Sequence, residues 1–206
     1  MSQNLDSLHP LREFVTSMTR LVDRTPSEQY ALREGRAFLA DLLSAQDWLP
    51  HTFAQSEPGA YRQYLLHCDP LERFSVVSFV WGPGSSTPVH DHTVWGLIGV
   101  LRGAEICCEY EPTADQRVRI SAGEHALEAG AIEAVSPTVG DWHQVRNARD
   151  QSDSISIHVY GANIGAVRRH MVDPHTGSIR DFISGYSSPL TPNLWDRSAA
   201  VRAQVR

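Results

Sequence analysis

Apolar positions along the first fifty residues recur at steps of three and four. Leu8, Leu11, Phe14 or Val15, Met18 and Leu21 or Val22 make one stripe, which predicts an amphipathic helix packed by a single face. Thr25-Pro26-Ser27-Glu28 reads as a second helix start, with Thr25 as the cap, Pro26 at the first helical position and Glu28 reaching back as a capping box. Phe38, Leu39, Leu42 and Leu43 would carry the buried face of that helix. Both helices are expected to pack against the main body and to hold no chemistry.

From Phe74 the pattern changes to short β-branched and aromatic runs separated by Gly, Pro, Ser and Asp. It predicts strands at Phe74–Trp81, Val94–Leu101, Ala104–Tyr110, Val118–Ile120, Ile132–Val135, Trp142–Asn147 and Ser154–Tyr160. Turns are expected at Gly82–Ser85, Arg102–Gly103 and Val139–Asp141. Many short strands with little helix between them predict a mainly β chain, an antiparallel sandwich or barrel. The tail after Gly177, punctuated by Pro189 and Pro192, is expected to wrap over the barrel. No segment reads as a linker, so residues 1–206 are expected to form one domain. Its parts would be a helical segment over 1–50, a β core over about 60–170 and a C-terminal wrap over 171–206.

A formal charge of −6 argues against a nucleic-acid partner, which would want a basic face. No apolar run approaches the roughly 18 residues of a membrane span, so no membrane association is expected. The start, Met1 to Pro10, lacks the charged-then-apolar layout of a signal peptide, and a cytoplasmic location is expected. The three cysteines, Cys68, Cys107 and Cys108, form no C-x2-C pair, and their odd number fits a reducing compartment. Cys107 and Cys108 are neighbours, so on a strand at most one looks into a barrel; each reads as a small buried hydrophobe before it reads as a catalytic thiol. The chain has no lysine: all 18 basic residues are arginine. Schiff-base chemistry, pyridoxal-phosphate attachment and a P-loop lysine are thereby excluded. The oligomeric state is left open.

The candidate chemistry lies in histidines. His90 and His92 follow Gly84 by the spacing G-x5-H-x-H, and His143 stands in G-D-W-H-x3-N. On an extended strand, residues i and i+2 share a face, so His90 and His92 can reach one point. Imidazole is the commonest protein ligand for late first-row metals, and a third ring from a distant strand would complete a face of three neutral donors. His9, His51, His67, His125, His170 and His175 read as ordinary satisfied or exposed side chains.

These frames resemble the two motifs of the cupins. Gly84, His90, His92 and Gly103 fall at the spacings of the first motif, and Gly96 stands where that motif carries glutamate. Pro137, Gly140, His143 and Asn147 match the second motif, with one extra residue between proline and glycine. The resemblance implies a cupin barrel, the double-stranded β-helix or jelly-roll, with an N-terminal α-helical segment. Loss of the carboxylate leaves a metal less neutralised by the protein, which favours an anionic exogenous ligand.

A three-histidine cupin of this kind resembles the thiol dioxygenases, the cysteine dioxygenase family, over about Tyr61 to Arg169. Ser156, His158 and Tyr160 alternate on one strand and resemble that family's Ser-x-His-x-Tyr relay; outside that frame they would be an ordinary polar strand face. Gly96 takes the position of the cysteine that is crosslinked to the relay tyrosine in mammalian members. Gln63, in Tyr61-Arg62-Gln63, takes the position of their carboxylate-binding arginine, which resembles the bacterial subgroup acting on 3-mercaptopropionate.

The resemblance implies ferrous iron, Fe(2+), on His90, His92 and His143. It implies Arg169 or its neighbour Arg168 as the substrate cation, Arg62 if the register slips by one, and a small thiol carboxylate with O2 as reactants. Trp95 and Trp142 are expected to pack the barrel. A cysteine dioxygenase, a carbon–carbon-cleaving cupin dioxygenase, a zinc or manganese isomerase and a non-catalytic metal-binding cupin remain as alternatives.

Overall fold

The computed structural model describes residues 8–113, 118–173, 176–188 and 198–204; His175, Pro189 and Pro192 lie outside them. Helix α1 spans His9–Val22 and α2 spans Glu28–Ser44. The predicted stripes are buried at Phe14, Met18, Leu21 and Val22 on α1 and at Leu39 and Leu42 on α2, with Phe38 and Leu43 partly buried at the margin; α2 also buries Ala31, Leu32 and Gly35, outside the predicted stripe. The helix start differs from expectation. Ser27, not Thr25, is the N-cap, its hydroxyl accepting from Tyr30 N at 3.3 Å. Thr25 instead takes φ +45° in the turn, and Pro26 stays outside the helix. Glu28 makes no capping box because its carboxylate accepts from Ser136 Oγ at 2.6 Å and from Thr138, tying the helix start to the barrel.

Eleven strands follow among the described residues: β1 Tyr61–Cys68, β2 Ser75–Trp81, β3 Val89–His90, β4 Gly96–Arg102, β5 Ala104–Pro112, β6 Val118–Glu128, β7 Ile132–Val135, β8 Trp142–Asn147, β9 Ser154–Tyr160, β10 Arg169–Val172 and β11 Ile179–Phe182. All pairings are antiparallel and make two sheets, β1-β2-β9-β4-β7 and β11-β10-β3-β8-β5-β6. The fold is therefore the predicted mainly β barrel with N-terminal helices. A last helix, α3, covers Ser198–Gln204.

Four strands escaped the pattern. β1 carries a register shift between Leu65 and His67 that breaks its alternation, while β3, β10 and β11 are only two to four residues long. β6 is much longer than Val118–Ile120, since most of it is solvent-exposed and it turns on Gly123 at φ +77°, leaving no apolar rhythm to read.

β2 and β9 are buried along their whole length, and the reason fixes the site. Ile155, Ile157 and Val159 face one apolar cluster with Met18, Leu39 and Leu42 of the helices. The alternate residues of β9, Ser154, Ser156, His158 and Tyr160, face the barrel interior. The helices thus cover the outside of the strand whose inside is polar. Their approach is close: a Cβ on Gly99 of β4 would stand 2.6 Å from Leu43 Cδ1 and 3.0 Å from Leu39 Cδ2.

Removing the fully buried Leu39 side chain should expose this seam. Leu39→Ala is expected to cost about 2–5 kcal/mol in urea unfolding, whereas Leu71→Ala, at a 73% exposed position, should change stability by no more than about 0.5 kcal/mol.

Candidate metal centre

His90 sits on β3 directly opposite His143 on β8, so two of the three rings are cross-strand partners. His92 lies two residues on from His90, beyond the end of β3, and is fixed there by Asp141. Its Oδ1 accepts from His92 N at 2.9 Å and from His92 Nδ1 at 3.1 Å, while its Oδ2 accepts from Thr93 N at 3.0 Å. Thr93 is held at φ +60°, a left-handed conformation that a β-branched residue rarely adopts; such strain costs on the order of 1–3 kcal/mol and turns the chain after His92.

The three ring centroids lie 4.8 to 5.0 Å apart. Each ring is anchored by Nδ1: His90 to Pro88 O at 3.0 Å, His92 to Asp141, and His143 to Cys107 Sγ at 3.6 Å. The Nε2 atoms are thereby left for a common ligand, and His92 Nε2 is buried with no hydrogen-bond partner. One donor atom from each ring falls within 4.8 Å of the others. Burial, followed by the neighbouring imidazole and the Arg169 charge, holds His90 well below the usual imidazole range; burial and the other two histidines of the cluster do the same for His143. Neutral imidazole is the ligating form, so the residues fit a metal ion. Asp141 behaves oppositely to a buried acid: burial pushes its pKa up, but the bonds from His92 and Thr93 outweigh this and hold it low.

No carboxylate belongs to this donor grouping. At Gly96, where an acidic side chain would start, a Cβ would stand 2.8 Å from Tyr160 Cδ1 and 3.0 Å from Val135 Cγ2. The nearby acids are turned elsewhere: Asp91 accepts from His170 N and pairs with its ring, both at 2.7 Å.

On β9 the expected polar row is continuous. Ser156 Oγ and His158 Nε2 are 2.8 Å apart, and His158 Nδ1 and Tyr160 Oη are 2.8 Å apart. Trp81 Nε1 donates to Ser156 Oγ at 3.0 Å. Phe79 stacks on His158 with centroids 4.1 Å apart, and Tyr160 stacks on His92 at 5.6 Å, so the row ends against the histidine centre. Burial drives His158 well below its ordinary pKa and the Tyr160 phenol upward, keeping both neutral.

A small cavity of about 70 Å³ opens beside His90, walled by Tyr61, Gln63, Phe79, Arg169 and Phe182. Arg169 is buried; Nη2 donates to Ser184 Oγ at 2.8 Å, the guanidinium lies 4.5 Å over the Phe182 ring, and Nε has no partner. Arg168 points away, exposed and paired with Asp181, and Arg62 is exposed and paired with Glu57; neither reaches the cavity. The single-residue step between Arg168 and Arg169 on an extended backbone decides this, because successive side chains take opposite faces. Gln63 lines the cavity, but its amide donates to Gly185 O and so fastens the tail, whose residues Phe182 and Ser184 close the cavity.

Asp141, Tyr61, Phe79 and Trp81 were missed by sequence reasoning. Only Asp141 carried a local signal, two residues before His143. Cys107 is the cysteine that faces inward, yet Cys108 is buried as well. Cys107, His125 and Glu133 also gather within 4.8 Å, with Glu133 bonded to His125 and, after burial itself, raising the Cys107 thiol pKa. Trp95 packs at the core margin, and Trp142 stacks on His170 at 6.4 Å. Asn147 is structural, its amide donating to Trp81 O and Ser152 O at 2.9 Å.

The chain matches no protein-family model. Solved structures that resemble it are cupin-fold proteins. A protein with a double-stranded β-helix domain from Klebsiella pneumoniae is 17% identical at TM-score 0.44, over 59% of this chain and 95% of that one. A cupin 2 barrel protein from Salinispora arenicola is 20% identical at TM-score 0.38, over 50% and 76%. An oxalate oxidase in complex with glycolate is 16% identical at TM-score 0.41, over 53% and 55%. Among the described residues no helix is long and apolar enough to cross a membrane.

Asp141→Asn weakens the clamp on His92 while leaving the three rings in the chain. Titration of the metal-free protein with Co(2+) or Zn(2+) is expected to show affinity about 10- to 100-fold lower than in the parent protein. An unchanged affinity would mean that Asp141 does not position His92 for a metal.

Proposed function

We propose that this protein is a non-haem iron thiol dioxygenase acting on a small thiol carboxylate, with 3-mercaptopropionate converted to 3-sulfinopropionate. The observation that supports it most is a cluster of three histidines, one of which, His90, shares a small cavity with the buried Arg169, and the lining of that cavity has no acidic side chain. Fe(2+) on His90, His92 and His143 would supply a Lewis-acidic site that lowers the thiol pKa and a redox centre for dioxygen, both of whose atoms end on sulfur as the sulfinate.

The protein's own groups do the rest. Arg169 offers the carboxylate an unpartnered Nε–H and a guanidinium already oriented by Ser184 and Phe182, so little is lost in ordering it. Tyr160, oriented by His158, presents its phenol on the side of His92 and Arg169. Phe79 and Phe182 keep the cavity wall apolar and limit water. The α-ammonium of cysteine would find no carboxylate among the lining residues, and burying it unpaired is costly, which favours a thiol acid without an amine.

Oxygen uptake by the iron-loaded protein is expected to be several-fold faster with 3-mercaptopropionate than with cysteine, with the sulfinate as product. Cysteine sulfinate as the preferred product would make this a cysteine dioxygenase, and bound iron without thiol-dependent oxygen uptake would make it a non-catalytic metal-binding cupin. Arg169→Ala should raise KM for 3-mercaptopropionate by about 10- to 100-fold, the scale of a lost charge-assisted hydrogen bond, whereas Arg168→Ala should leave it unchanged.

A further inference from the structure

Glu105, on β5, is fully buried and is used by nothing described so far. It lies beside the far end of the β9 row. Ser154 Oγ donates to its Oε1 at 3.2 Å, Ser156 and Trp81, themselves hydrogen-bonded together, are near enough to oppose the rise of its pKa, and Oε2 has no partner. A carboxylate left with an empty oxygen in an apolar interior is costly, and such groups are kept for a reason other than stability. Leu127 on β6 and Asn147 on β8 are its partners across the sheet. The titratable groups on the elements around it are Glu133 on β7, Cys107 on its own strand, and His158 and Tyr160 beyond Ser156 on β9.

We propose that Glu105 is the terminal member of the row Glu105–Ser156–His158–Tyr160, and that its proton sets the direction in which every hydrogen bond of the row runs. The role is one of positioning, and its catalytic consequence rests on the function proposed above.

The proton count follows from the donors available. Neutral His158 carries one N–H, and Ser156 Oγ always accepts from Trp81 Nε1. With Glu105 protonated, its O–H donates to Ser156 Oγ and the serine donates to His158 Nε2. His158 Nδ1–H then donates to Tyr160 Oη, and the phenol proton is turned toward the histidine centre. With Glu105 ionised, the carboxylate can only accept. Ser156 donates to it, His158 must carry its proton on Nε2, and its bare Nδ1 accepts a hydrogen bond from the phenol O–H, which keeps its proton. One proton leaves the protein between the two states, and the donor turned toward the histidine centre is lost.

Physiological pH lies near the balance point. Burial raises the Glu105 carboxyl to about 7; the Ser156 and Ser154 hydroxyls oppose the rise, the Glu133 charge adds to it and Trp81 opposes it. Because the folded value lies above that of an unfolded glutamate, the neutral group's contribution to stability is complete at low pH. It is lost as pH rises through about 7.

Nitrogen-15 NMR of histidine-labelled, metal-free protein reads the row without substrate or iron, with the His158 resonances assigned by their absence in His158→Gln. His158 is expected to be the Nδ1–H tautomer below about pH 6 and the Nε2–H tautomer above about pH 8. Glu105→Gln, whose amide always donates, should hold it as Nδ1–H throughout. A single tautomer across the range in the parent protein, or a switch that persists in Glu105→Gln, overturns the proposal whether or not the enzyme oxidises thiols. If the NMR switch is seen, kcat/KM of the iron-loaded parent is expected to fall several-fold above about pH 7, and that of Glu105→Gln to stay level. A fall of equal size in Glu105→Gln would refute the link from Glu105 to the reaction.

Discussion

A polar row can be buried inside a barrel only if its members satisfy one another, and that requirement organises this protein. An unpartnered hydroxyl or imidazole in the interior costs about 1–3 kcal/mol, so Ser156, His158 and Tyr160 are tolerable there only as a chain with 2.8 Å links. The chain needs a straight strand with a constant face, hence the uninterrupted β9 in the centre of its sheet. It also needs that strand's opposite face to be covered. The two N-terminal helices supply the cover, and they contribute no residue to the histidine cluster or the polar row. Elements far from the histidine centre therefore shield the strand that carries the polar row.

The same logic of satisfaction explains the histidine centre. Three imidazoles are fixed by their outer nitrogens to a carboxylate, a carbonyl and a thiol, which leaves the inner nitrogens gathered near one point, that of His92 buried without a partner. Gly96 keeps a fourth protein donor away, because the Tyr160 ring occupies the space in which a side chain would begin. Neutral donors, a buried guanidinium and no acid in the cavity wall together make an environment short of negative charge. An anionic ligand completes it electrostatically.

Much of this was legible in the residues alone because it is carried by local periods. The step of two in Ser156, His158 and Tyr160 puts three side chains on one face of any strand, whatever the strand packs against. The three- and four-residue steps of the helices gave their buried faces, and the motif spacing brought His90, His92 and His143 forward as a set. Where a local period is absent, the reading stopped: the exposed length of β6, the two-residue β3 and the bulged β1 have no apolar rhythm. His92 shows the limit most clearly. The step of two from His90 brings it forward, but what holds it is Asp141, 49 residues away, which clamps its backbone and ring together.

By itself the sequence determined the fold class, the trio of histidines, the lack of an acidic ligand at Gly96 and the polar face of the last long strand. Each depends on residue type and on spacing within one element. Only the tertiary structure decided which arginine enters the cavity, what anchors each imidazole, and that Glu105 is buried against Ser154 on the strand that carries the row. Those contacts join strands distant along the chain, and strand pairing and register set them, which no pattern inside a single segment encodes.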